Sequence, residues 1–162
     1  MKLIDLANIV AALSFVTASK ATADITLAPV LGHNMVLQRD QQVPVWGWAG
    51  PEEKITVVFA GQKKSTTADS SGSWKVILNP LRASAEPQTL SIVAANRQLA
   101  TGNRQLTNVL VGDVWLAAGQ SNMEFPLGRK AHAAAEIPAA TNALIRLLNL
   151  PFAGQASPAG AK

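Results

Sequence analysis

Between Val43 and Leu78 the chain repeats one pattern three times, and that pattern decides what it can fold into. Val43, Val45 and Gly47 alternate with Pro44, Trp46 and Trp48; Ile55, Val57 and Phe59 alternate with Thr56, Val58 and Ala60; Trp74, Val76 and Leu78 alternate with Ser73, Lys75 and Ile77. A period of two places each set on one face of a pleated strand, whereas a helix would need apolar residues every three or four positions. Between these runs lie turn signals: Ala49-Gly50-Pro51-Glu52, Ala60-Gly61-Gln62 and Asp69-Ser70-Ser71-Gly72, all rich in residues that turns favour. The last is expected to close a hairpin between Ser65–Ala68 and Trp74–Leu78. Leu90–Ala94 adds a strand and Leu106–Val111 leads out of the module. Short strands at regular spacing predict a β-sandwich-like module over residues 24–110.

The chain then changes character. Val114–Ala118 is a continuous apolar run, bounded by Gly112-Asp113 and Gly119, which predicts a strand covered on both faces as in a parallel sheet. Gln120, Ser121 and Asn122 follow, at the carboxyl end of that strand, where open α/β sheets place their ligands. A serine on a sharp turn is a candidate nucleophile, because a base on another segment can reach its hydroxyl. Backbone N–H groups in the same turn can face an oxyanion, and Gly119 permits the turn. On Gly-Gln-Ser-Asn alone, an ordinary polar loop is the commoner reading. Lys130–Ala140 is alanine-rich and favours helix, with Pro138 breaking or ending it. Ile145–Leu150 is a second apolar strand, so residues 111–152 read as one β-α-β unit with a right-handed crossover. Residues 153–162 show no apolar periodicity and are expected to form a disordered tail.

The longer match from Val111 to Met123, and above all Gly119-Gln-Ser-Asn-Met123, resembles the first conserved block of the sialate O-acetylesterase family, a branch of the SGNH (GDSL-like) hydrolases. Two further stretches resemble the family in the right order: Asn34-Met-Val-Leu-Gln-Arg39 with Val43-Pro-Val-Trp-Gly-Trp48 upstream, and Ile145-Arg-Leu-Leu-Asn-Leu-Pro151 downstream. The resemblance implies a β plus α/β fold, in which a β-rich module precedes and supports the start of an SGNH-type hydrolase domain. It implies that Ser121 is the acyl-accepting serine of a carbohydrate esterase, with an O-acetylated sugar as substrate and no cofactor. It also implies a base histidine in an Asp-x-x-His near the carboxyl end, plus a glycine and an asparagine from later blocks to complete the oxyanion hole. No aspartate of this chain is followed by histidine three residues on. The chain therefore reads as the N-terminal portion of a longer esterase, truncated within its hydrolase domain and inactive alone.

Residues 1–23 read as a secretory signal peptide: Lys2 opens it, Ile9–Ala18 is a short apolar stretch, and Ala21-Thr22-Ala23 has the form of a cleavage site. Ten residues fall short of the roughly 20 that span a bilayer, so export to the periplasm or medium without a membrane anchor is expected. The formal charge is +4, but the basic residues are scattered, which argues against nucleic acid as a partner. With no cysteine, neither disulfides nor thiolate metal sites arise. His33 and His132 are the only imidazoles and show no metal spacing, so no metal is predicted. His132 and Glu136 read as a solvated pair on one helix face. Gln38 and Arg39 are placed at the joint with the second domain. Trp46, Trp48 and Trp74 favour core or inter-domain packing over a sugar-stacking platform. The alternative function is a non-catalytic secreted β-sandwich that binds glycans or a protein through exposed tryptophans.

Overall fold

The computed structural model describes residues 24–95, 103–119, 123 and 125–149. The expected signal peptide and the expected tail both lie outside the described residues. Eight strands occur among them: β1 (Thr26–Leu27), β2 (Val36–Gln38), β3 (Val43–Trp48), β4 (Lys54–Phe59), β5 (Gln62–Thr67), β6 (Ser73–Leu78), β7 (Ser84–Ala94) and β8 (Arg104–Gly112). They form a three-stranded sheet in the order β1-β3-β6 and a five-stranded sheet in the order β2-β8-β7-β4-β5. Every pairing is antiparallel except β2 with β8, which run parallel.

The alternation read in the sequence sets the inner faces. Val43 and Val45 from β3, with Trp74, Val76 and Leu78 from β6, meet Ile55, Val57 and Phe59 from β4 and Leu90, Ile92 and Ala94 from β7 in one buried cluster. Leu106, Val109 and Val111 of β8 complete it. Fully burying an aliphatic or phenyl side chain contributes about 1.5–3 kcal/mol, and Phe59, Ile55, Leu90 and Ile92 lose all their exposure. Interleaved residues face outward, among them Trp48, Val58 and Ile77. Gly47 is required by close approach: a Cβ there would lie 2.1 Å from the Thr26 carbonyl oxygen of β1.

The strands are joined by turns whose chemistry differs. Ala60 and Gly61 both take positive φ, 47° and 74°, as a two-residue type I′ connection requires, and they pair β4 with β5 over six registered positions. The Asp69–Gly72 turn does not close the hairpin expected from the sequence. β5 pairs with β4 in the five-stranded sheet, whereas β6 pairs with β3 in the other, so this turn carries the chain across the sandwich. Asp69 organises it: Oδ1 accepts from the Ser71 hydroxyl at 2.6 Å, the Ser71 N–H at 2.8 Å and the Ser73 N–H at 3.0 Å. Gly72 has φ 84°, and its carbonyl accepts the Ala49 N–H at 2.9 Å, linking two turns.

Residues beyond Gly112 are organised differently. The strand expected over Val114–Ala118 is absent, and so is one over residues 145–149. A strand without a hydrogen-bonded neighbour has no ladder, and neither segment has one. The described residues include a turn of 3-10 helix at Leu127–Arg129 and a short helix, α1 (Ala133–Ala139), with Pro138 inside its last turn and no buried residue. Apolar side chains are left outside, Trp115 at 88% exposure and Leu147 at 91%. In place of the expected His132–Glu136 pair, the Glu136 carboxylate accepts from Lys130 Nζ at 2.8 Å, and His132 is the residue that caps the helix.

Candidate functional site

Ser121, with Gln120 and Asn122, lies outside the described residues. The residues that frame it are described. Gly119 and Met123 lie against each other, so that a Cβ on Gly119 would sit 2.6 Å from Met123 Cγ.

The start of the segment that runs on to Gly119 is fixed by β2. Its parallel pairing with β8 sets Gln38 opposite Gly112, which brings Gln38 and Arg39 beside the chain as it leaves the sheet. Arg39 Nε donates to Asp113 Oδ1 at 2.9 Å, and its Nη1 donates to Asp40 Oδ2 at 2.9 Å. The Val114 N–H donates to Gln38 Oε1 at 2.8 Å, and the Arg39 N–H donates to the Gly112 carbonyl at 2.9 Å. Hydrogen bonding and attraction from Asp113, then attraction from Asp40, hold the Arg39 guanidinium above its usual pKa. Gln38, Gln41, Asp113, Val114 and Trp115 line a depression of about 400 Å³ at this exit. Its carboxylate, Asp113, is engaged by Arg39, and these contacts fix the first residues beyond β8.

Sequence reading placed Gln38 and Arg39 at a joint but gave no partner for them. Asp113 and Gln38's bond to Val114 were missed, because a parallel pairing between residues 74 apart leaves no local signal. His33 is occupied structurally: its Nδ1 accepts the Thr107 N–H at 3.1 Å and lies 2.9 Å from Thr107 Oγ1, which places the ring proton on Nε2. Asn108 Nδ2 donates to Asn34 Oδ1 at 2.7 Å beside it, and Arg146 Nη2 reaches Asn108 Oδ1 at 3.3 Å, tying the last described segment to the sandwich. Among the described residues no cluster of three or more His, Cys, Asp or Glu forms a metal site, and no helix is long and apolar enough to cross a membrane. The tryptophans separate. Trp74 is in the core, while Trp46 and Trp48 face outward on β3.

No family model matches the chain. The sialate O-acetylesterase of Mus musculus is 32% identical to it over 119 residues, covering 68% of this chain and 21% of the relative. That of Homo sapiens is 35% identical over 106 residues, covering 60% of this chain and 20% of its own. A crystal structure of a carbohydrate acetylesterase from Xanthomonas citri superimposes with a TM-score of 0.67 and 42% identity, covering 74% of this chain and 26% of that one. The chain spans about a fifth of the length of these curated relatives.

Proposed function

Because this chain belongs to the sialate O-acetylesterase family, we propose that Ser121 is the acyl-accepting serine of an esterase that removes O-acetyl groups from sugars. The observation that carries the reading is the 42% identity to a carbohydrate acetylesterase of the same fold. The Arg39–Asp113 pair holds the chain where it leaves β8, upstream of the family block Gly119-Gln-Ser-Asn-Met123. In this reaction a base takes the proton of Ser121 Oγ, and Oγ attacks the acetyl carbonyl. The backbone N–H of Ser121 helps to hold the oxyanion. The sugar oxygen leaves with the proton the base returns, and water then attacks the acyl-serine to release acetate. Which acetylated sugar is bound is set by parts of the protein that carry the substrate pocket.

The base is not in this chain as an Asp-x-x-His, so the chain alone is expected to hydrolyse esters negligibly, since a triad without its base loses most of its rate. We further infer that residues 111–152 take their strand-helix-strand form when additional strands and helices of an SGNH-type domain cover them; the exposed Trp115, Leu116, Leu147 and Leu148 support this. Residues 1–23 would direct export.

Acetate release from an O-acetylated sugar by the chain and by Ser121→Ala, each with and without added imidazole as a surrogate base, tests the reading. Equal, negligible rates without imidazole are expected, with imidazole raising release only in the chain that keeps Ser121. An imidazole effect of the same size in both would remove Ser121 from the nucleophile's role. Serine-dependent activity without imidazole would show that this chain supplies its own base.

A further inference from the structure

We propose that the outer face of the three-stranded sheet, centred on Trp46 and Trp48, binds the sugar rings of a carbohydrate chain. The face is set by register. Trp46 stands opposite Lys75 and Trp48 opposite Ser73 on the neighbouring strand, so each indole lies beside a hydrogen-bonding side chain. Residues directly across an antiparallel pair have Cβ atoms about 5 Å apart, and those two apart on one strand about 7 Å. This spacing offers two aromatic faces in line with polar groups between them. Trp48 is 46% exposed, more than a large aromatic needs for packing, and Lys75 forms no ion pair among the described residues.

The face is also hollow. Trp46, Trp48, Ser73 and Lys75 line a depression of about 420 Å³ with Trp74 among its walls, a volume within the roughly 300–1,000 Å³ of small-molecule sites. A pyranose ring has an apolar C–H face and an equatorial rim of hydroxyls, so it matches an indole flanked by an ammonium and a hydroxyl. A protein partner would need about 800 Å² of contiguous surface, and β5, which lies beside β6 and carries Gln62, Lys63, Lys64 and Ser65, adds no aromatic to the face. The inference goes beyond the esterase reading, since it requires neither Ser121 nor a base.

The test is a titration of the whole 162-residue chain with xylohexaose and with cellohexaose, followed by tryptophan fluorescence and by amide chemical shifts. Saturable binding of at least one sugar is expected, with shifts clustered on β3 and β6. Trp48→Ala should weaken it about tenfold or more, the scale of an interface tryptophan. Trp48→Phe should keep most of the affinity, and Lys75→Gln should lose a few-fold. Ser121→Ala should bind as the parent does, so that failure of the catalytic assignment leaves this result untouched. Absence of binding by both sugars overturns the proposal, as does equal affinity in Trp48→Ala and the parent. Should Trp48→Ala fail to fold, Trp48→Phe and Lys75→Gln decide: unchanged affinity in Lys75→Gln together with shifts away from β3 would reject the face. Self-association that depends on Trp48 and excludes sugar would equally reject it.

Discussion

The sandwich and the segment that follows it contain the same kinds of apolar residue with opposite fates. Phe59 is fully buried, while Trp115, in a run no less apolar, is 88% exposed. The difference lies in what each pattern needs. An antiparallel sandwich builds its pairs from near neighbours in sequence and buries one face of each strand against the other sheet. A strand of a parallel sheet needs neighbours on both sides and cover on both faces. The described residues up to Gly112 find strand partners and a shared core, whereas the described residues from Asp113 on form no strand pair. Their described links to the sandwich are polar: Arg39 to Asp113, Gln38 to Val114, and Arg146 to Asn108.

The contrast breaks most easily by proteolysis. Opening free energies run from near zero at exposed segments to the global value in core strands, so cleavage between residues 113 and 149 should outpace cleavage between 24 and 112 by a factor of about 100 or more. Mass spectrometry of the early products checks this; equal rates would mean that the segment is covered. A smaller effect comes from paired truncations. Phe59→Ala should destabilise the chain by about 3–5 kcal/mol, whereas Leu147→Ala should fall within about 0.5 kcal/mol of the parent. Urea unfolding of both variants measures the gap, and comparable losses would erase the distinction between the two regions.

How much of this was written in the sequence follows the same line. The inner faces of β3, β4 and β6 were legible because period two is a local signal. The partner of β5 was not: Asp69–Gly72 announces a reversal, but turn residues do not tell whether the returning strand joins the same sheet or the opposite one. β1 and β2, two and three residues long, are too short for periodicity, and Val36–Gln38 is a strand only because β8 runs beside it. At the candidate site Gly119 could be read as a turn residue from its place before Gln120-Ser121-Asn122. Ser121 rests on the motif. The Arg39–Asp113 contact was hidden, since ion pairing across a parallel ladder needs the ladder first. Trp46, Trp48 and Trp74 were expected to pack in the core or between domains; Trp74 is in the core, and register with β6 turns Trp46 and Trp48 to the outer face.

Within the sandwich, Gly47 measures how tightly its first strand is held. An alanine there would press its Cβ into the Thr26 carbonyl, and backbone oxygen cannot rotate away as a side chain can. Gly47→Ala should cost about 1–3 kcal/mol, the scale of overpacking, with loss of amide protection confined to Thr26–Leu27 and their partners. Protection lost throughout β3 and β6 would mean instead that the glycine serves the whole sheet.

The smallest expected effect is at the crossing between the sheets, which depends on a side chain and not on a strand pair. The Ser71 hydroxyl, and then the Ser73 and Ser71 amides, hold the Asp69 carboxyl below its ordinary value of 3.8. A carboxylate whose folded pKa is lowered stabilises the fold fully above its unfolded pKa, and the contribution disappears as the pH falls through the folded one. The stability gap between the parent and Asp69→Ala should therefore be constant near neutrality and should begin to close only below about pH 4. Asp69 is solvent-exposed, so the change should be slight and weaker in high salt. Thermal melts of both chains across that range measure it. A gap that persists unchanged into strong acid would show that the backbone bonds of Gly72 to Asp69 and Ala49 hold the crossing by themselves, and that the carboxylate merely accompanies them.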